Sequence, residues 1–125
     1  QYTTAVEKSR AAEAITLMGT LRYAAERTRL QTGDWPTDFT VLDIEMPQAT
    51  GSTSETKNFT ITGEKADDGT YVITADRGLE SNNYKLLTTV DTDGTAVRTC
   101  TGDVTLCKAI TSGNSYDGCT GCTGF

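Results

Sequence analysis

The sequence predicts an α+β fold: a long N-terminal α-helix packed on a four-stranded antiparallel β-meander, followed by a cysteine-rich C-terminal loop region. Three observations predict it. Apolar side chains recur at three- and four-residue spacing over residues 1–30, the period shortens to two from Asn58 onward, and every cysteine stands at or beyond residue 100. The length suits one small domain with a single core. It divides into a helix (1–32), a helix-to-sheet loop (33–57), the sheet (58–100) and a stapled C-terminal region (101–125).

In the helix, Ala5/Val6, Ala12, Ile15, Met18, Leu21 and Ala25 form the apolar series, and Glu7, Arg10, Glu13, Arg22 and Arg27 fill much of what lies between. Ala, Leu, Met, Glu, Lys and Arg dominate, and no proline interrupts the run. Glu7–Arg10, Arg22–Glu26 and Glu26–Arg29 sit at supportive offsets. Thr3 and Thr4 are weak start signals, because no acid follows either by three residues. A helix of about 30 residues is about 45 Å long, far above the usual ~11–12 residues. The expectation is that it continues a longer helix whose start lies ahead of Gln1. It should end near Leu30–Thr32, with Gly33 as a left-handed stop and Arg27 and Arg29 favourably placed at its negative end.

Asp34-Trp35-Pro36-Thr37 then turns the chain, since Pro36 fixes φ and holds Trp35 extended. Phe39–Ile44 reads as a further helical turn or an irregular apolar segment, ended by Met46-Pro47. Gln48–Lys57 reads as an exposed polar loop. Asn58–Thr62 and Thr70–Ala75 alternate as strands around a Gly63–Gly69 turn. Asn83–Val90 and Thr95–Cys100 make a second pair around Asp91-Thr92-Asp93-Gly94, a strong hairpin signal. Two consecutive hairpins give a meander with one face polar and the other in need of cover, and the second half of the helix is the element long enough to cover it. Val104–Ile110 reads as a short helix.

Cys100, Cys107, Cys119 and Cys122 show one close pair rather than the two that structural zinc sites favour. Cys119-Thr120-Gly121-Cys122 lacks the following helix that a redox pair needs to depress its thiol pKa. Disulfides are the favoured reading. Of three possible pairings, Cys100–Cys107 with Cys119–Cys122 is preferred, while the nested pairing Cys100–Cys122 with Cys107–Cys119 would close longer loops and stays open.

There is no His in the chain, which removes the commonest general base and the commonest metal ligand. No nucleophile motif or spaced carboxylate pair stands out, so no catalytic residue, cofactor or metal is expected. Asp67-Asp68-Gly69 and Asp91–Thr95 resemble fragments of calcium loops, but no bidentate Glu follows at the spacing required, and hairpin turns explain them. Asn58-Phe59-Thr60 is a formal glycosylation sequon, read as coincidence. Formal net charge is −6. Lys8, Arg10, Arg22, Arg27 and Arg29 outnumber Glu7, Glu13 and Glu26 in residues 1–30, so the acid excess lies in the rest, which argues against nucleic acid as a ligand of the globular part.

Gln1–Ala14 resembles the segment that follows the membrane-embedded half of the N-terminal helix in bacterial type IV pilins. Arg22-Tyr23-Ala24-Ala25-Glu26 and Gly33-Asp34-Trp35-Pro36-Thr37 are similar to that family's helix end and its Gly-x-Tyr-Pro turn, with Trp35 where Tyr is more usual. Leu42–Pro47 also looks like family sequence. The resemblance covers residues 1–47 and is only architectural beyond residue 57. It implies a preceding apolar half-helix, methylated at its first residue and carrying a glutamate, that anchors the subunit in the inner membrane and then forms the filament core.

On that resemblance the expected role is structural: a pilin that polymerises into an extracellular filament serving adhesion, motility or DNA uptake. Its partners would be other copies of itself and the assembly machinery, with membrane contact only through the preceding half-helix. The small residues Ala5, Ser9 and Ala12 would face neighbouring subunits, and Ile15, Met18, Leu21 and Ala25 would cover the sheet. A type II secretion pseudopilin and a secreted disulfide-stabilised binding module are the alternatives.

Overall fold

The computed structural model describes residues 2–111. Cys119 and Cys122, with the link expected between them, lie outside the described residues. Helix α1 spans Tyr2–Thr32. Thr16, Thr20, Thr28 and Thr32 sit in it by returning their hydroxyls to the carbonyl four residues back. Gly33 closes it at φ +86°, where an L side chain would be strained, and its N–H donates to the Arg29 carbonyl at 2.8 Å. Among the described residues no helix is long and apolar enough to cross a membrane.

After α1 the chain turns through Trp35, which is buried; its indole N–H donates to the Gly69 carbonyl at 2.8 Å. Its ring stacks on Tyr71 with centroids 5.2 Å apart. Asp38 then caps a single 3₁₀ turn, Phe39–Val41, whose Phe39 is buried. Five strands follow: β1 (Thr53–Glu55), β2 (Thr60–Lys65), β3 (Tyr71–Asp76), β4 (Tyr84–Val90) and β5 (Ala96–Gly102). They pair antiparallel in chain order, β1-β2-β3-β4-β5.

The expected four-stranded meander is therefore five-stranded. The additional strand, β1, lies inside the segment read as an exposed loop. Three residues are too few to show a period, and the strand is held by pairing with β2 and by buried Ser54, whose hydroxyl donates to the Pro47 carbonyl. The turn expected over Gly63–Gly69 is shorter, because Gly63-Glu64-Lys65 continues β2 to pair Lys65 with Tyr71. Likewise β5 runs past Cys100 to pair Gly102 with Tyr84.

One sheet face carries Ile61, Tyr71, Ile73, Ala75, Tyr84, Leu86, Val90 and Cys100 into the core against α1. The other presents a row running Thr53, Thr62, Thr74, Leu87, Thr99 across all five strands. Helix α2 (Val104–Ile110) follows, capped by the Asp103 carboxylate, which accepts the Leu106 N–H at 2.9 Å. Leu106 and Ile110 pack it into the core. A Cys100–Cys107 disulfide, spanning seven residues of sequence, ties α2 to β5. Closing so short a loop contributes about 2–3 kcal/mol on chain-entropy grounds.

Gly63 serves a close approach: a Cβ there would collide with the Tyr71 hydroxyl, whose ring lies across it. That hydroxyl is buried without a hydrogen-bond partner among the described residues. Tyr71→Phe should accordingly leave stability unchanged or raise it by about 1 kcal/mol, because an unpaired buried polar atom costs about 1–3 kcal/mol. Gly63→Ala should lower stability by about 1–3 kcal/mol through overpacking. Urea midpoints of the two variants check this, and a Tyr71→Phe variant weaker than the parent would show that the hydroxyl has a partner.

Candidate assembly surface

Helix α1 has two opposed stripes. Glu7, Ala11, Ala14, Met18, Leu21 and Ala25 follow at alternating four- and three-residue steps and are all buried. Ile15 lies at the margin of this stripe, partly buried. On the far side Ala5, Ser9, Ala12, Thr16, Thr20, Tyr23, Arg27 and Leu30 follow the same spacing and are exposed. Ala5, Ser9 and Ala12 thus share the face opposite Met18, Leu21 and Ala25, and Glu7, a residue polar by type, begins the buried stripe.

Glu7 is 5% exposed and lies under a set of donors. Arg77, just after β3, donates from Nε to Oε1 at 2.8 Å and from Nη2 to Oε2 at 3.1 Å. The Tyr84 hydroxyl donates to Oε1 at 2.9 Å, and Arg10 donates from Nη1 to Oε2 at 3.2 Å. Arg77 also donates to the Asn58 carbonyl at 3.1 Å and stands 5.9 Å over the Phe59 ring. Phe59 in turn meets Tyr84 edge-on at 6.1 Å. Burial alone would raise the Glu7 carboxyl, but hydrogen bonds from Arg77 and Tyr84 and the charges of Arg77 and Arg10 outweigh it and hold it below the ordinary carboxylate value. Burial first, and then the bond to Glu7, pushes the Tyr84 phenol up.

Sequence reasoning missed this network. One signal was present, since Glu7 continues the heptad-like spacing of Ala11, Ala14, Met18, Leu21 and Ala25. Nothing local to Asp76-Arg77-Gly78 marks Arg77 as its partner.

At the other end of α1, Arg22 donates to the Gly94 carbonyl at 2.9 Å and pairs with Glu26, while Arg29 reaches the Thr92 carbonyl at 3.3 Å. The β4–β5 turn is thereby held against the helix. Arg22, Tyr23, Thr88 and Arg98 line a cleft of about 150 Å³ between α1 and the β4–β5 pair.

A long helix with one stripe on an antiparallel meander and the opposite stripe bare, its last strand stapled to a short helix, defines a type IV pilin-like subunit. The family model described as "Type IV minor pilin ComP, DNA uptake sequence receptor" matches residues 1–111, and the chain belongs to that family. It is a type IV pilin, a subunit of an extracellular pilus. No curated protein and no solved structure matches the chain.

Because the Glu7 carboxyl is depressed in the fold, its contribution is present above the unfolded carboxylate value and is lost as pH falls through the folded one. Glu7→Ala at neutral pH leaves the largely covered Arg77 guanidinium without its carboxylate, with only the Asn58 carbonyl to meet it, and should cost about 3 kcal/mol. Glu7→Gln should cost less at pH 7, and its deficit relative to the parent should close as pH drops below about 4. Urea unfolding of parent and Gln variant at stepped pH checks the sign; a deficit that widens towards acid pH would contradict it.

Proposed function

We propose that this pilin takes its place in the filament by packing the bare stripe of α1 against neighbouring helices, and that the filament serves DNA uptake. The observation that carries the reading is the pair of stripes on one helix. Small side chains at Ala5, Ser9 and Ala12 stay exposed along the stretch where Ala11 and Ala14 are sealed against the rest of the molecule. Small residues permit helices to approach closely, which is what a helical filament core requires. Successive copies or sister subunits related by an open screw operation make a fibre rather than a ring. The family's description as a DNA uptake sequence receptor favours DNA uptake over adhesion or motility as the service the filament performs.

Ala5→Arg and Ala12→Arg should leave the domain's unfolding within about 0.5 kcal/mol of the parent, as surface changes do. The same substitutions in the full-length subunit should lower its recovery in filaments sheared from cells by about tenfold or more, the effect of roughly 1.4 kcal/mol. Recovery at the parental level would remove the stripe from the assembly.

A second reading, favoured by one feature, is that the subunit touches DNA itself. The cleft beside Tyr23 brings together Arg22 and Arg98, and the Arg22 guanidinium stands 5.3 Å over the Tyr23 ring. Two guanidiniums suit phosphates and an exposed aromatic suits a base. Arg22→Gln with Arg98→Gln should weaken duplex binding and reduce its salt slope by about 2. Binding that ignores both substitutions would place any DNA contact elsewhere.

A further inference from the structure

Two residues that line the cleft between α1 and the β4–β5 pair are choices that folding alone does not favour. Gly19 stands in the middle of α1, where glycine weakens a helix relative to alanine. Its φ is not left-handed, and a Cβ there would meet no atom of the rest of the fold within 4 Å, so neither backbone conformation nor packing calls for it. Thr88 faces α1 from β4, in a buried row otherwise made of Tyr84, Leu86 and Val90. It is 3% exposed, yet its hydroxyl forms no hydrogen bond among the described residues. Among those residues the Tyr71 hydroxyl alone is both unpartnered and sealed from solvent, so the Thr88 oxygen keeps an opening, and the space it lines is this cleft. An unpaired hydroxyl at such a place costs stability where a valine would not.

The walls supply charge. Arg98 is the partner of Thr88 across the β4–β5 ladder, so both project to the helix side of the sheet. Arg22 spends Nε on Glu26 and Nη2 on the Gly94 carbonyl, two contacts for a group with five N–H donors. Glu26 answers one of the two guanidiniums and no acid lines the cleft, so a net positive charge remains there. A hydroxyl at depth, guanidiniums at the lips and bare helix backbone between them make a cradle for an oxyanion. At about 150 Å³ the cleft takes one group of a larger ligand. We propose that it seats a phosphate of a nucleic-acid strand, with Thr88 Oγ1 donating to a phosphate oxygen, Arg22 and Arg98 holding the charge, and Gly19 leaving the group room against the helix. The proposal rests on the DNA-contact reading above and assigns the residues that receive the phosphate.

Amide chemical shifts of this chain, followed at low salt during titration with inorganic phosphate and then with a short duplex oligonucleotide, test it. Both titrants should move the Gly19 and Thr88 amides in a saturable way. Thr88→Val removes the hydroxyl at nearly constant shape, and Gly19→Met fills the cleft from its floor with a good helix former. Each should weaken phosphate binding by about fivefold or more, while its urea midpoint stays at or above the parent's. Parental phosphate affinity in both variants, or shifts confined to exposed lysines, overturns the seat. Duplex binding that both variants keep in full overturns the seat and leaves the DNA-contact reading standing. Phosphate binding at the cleft with no binding of the duplex overturns the DNA reading and leaves a seat for free phosphate.

Discussion

The carboxylate of Glu7 is the constraint on which the rest of the molecule depends. Among the described side chains, the first turns of α1 offer the core little beyond Ala11 and Ala14, whose methyl groups remove modest apolar area from water. A buried anion that accepts from Arg77, Tyr84 and Arg10 fixes that end of the helix to the sheet at one rotation and one height. At the opposite end, where Met18 and Leu21 are fully buried, apolar packing does the same work. The two modes of attachment set which stripe is covered. The bare stripe follows as the complement.

The aromatic cluster extends the apolar end. Arg29, Trp35 and Tyr71 form a stack that begins on the helix, passes through the turn at Pro36 and ends on β3. Gly63 makes room for it by having no side chain. Hydrogen bonds from Arg22 and Arg29 to the β4–β5 turn seat the sheet from the other side. The acid of the chain gathers partly here, at Asp34, Asp67, Asp68, Asp91 and Asp93, all on turns at this end. These carboxylates serve the turns: Asp68 and Asp93 each accept the N–H and hydroxyl of the threonine two residues on.

Much of this was legible in the sequence. Gly33 and Pro36 marked the end of α1 and the change of period marked β2 to β5, because each of these signals is local. The opposite cases share a reason. β1 is held by Ser54 and by its partner strand rather than by its own pattern. Glu7 is buried by residues 70 and more positions away, and hydropathy scores a carboxylate as solvent-facing whatever meets it in the fold.

The meander also governs the order in which the chain can organise itself. Every strand pairs with its sequence neighbour, and the disulfide joins residues one strand-to-helix step apart, so the sheet assembles through short loops with small closure entropy. The helix alone depends on distant contacts, spanning 70 residues between Glu7 and Arg77. Until β4 and the end of β3 are in place there is no cradle for that carboxylate, so this attachment of α1 requires the sheet. A subunit whose helix has not yet docked exposes both stripes at once, and the same covering that completes the core is what makes the opposite stripe distinguishable to a neighbour.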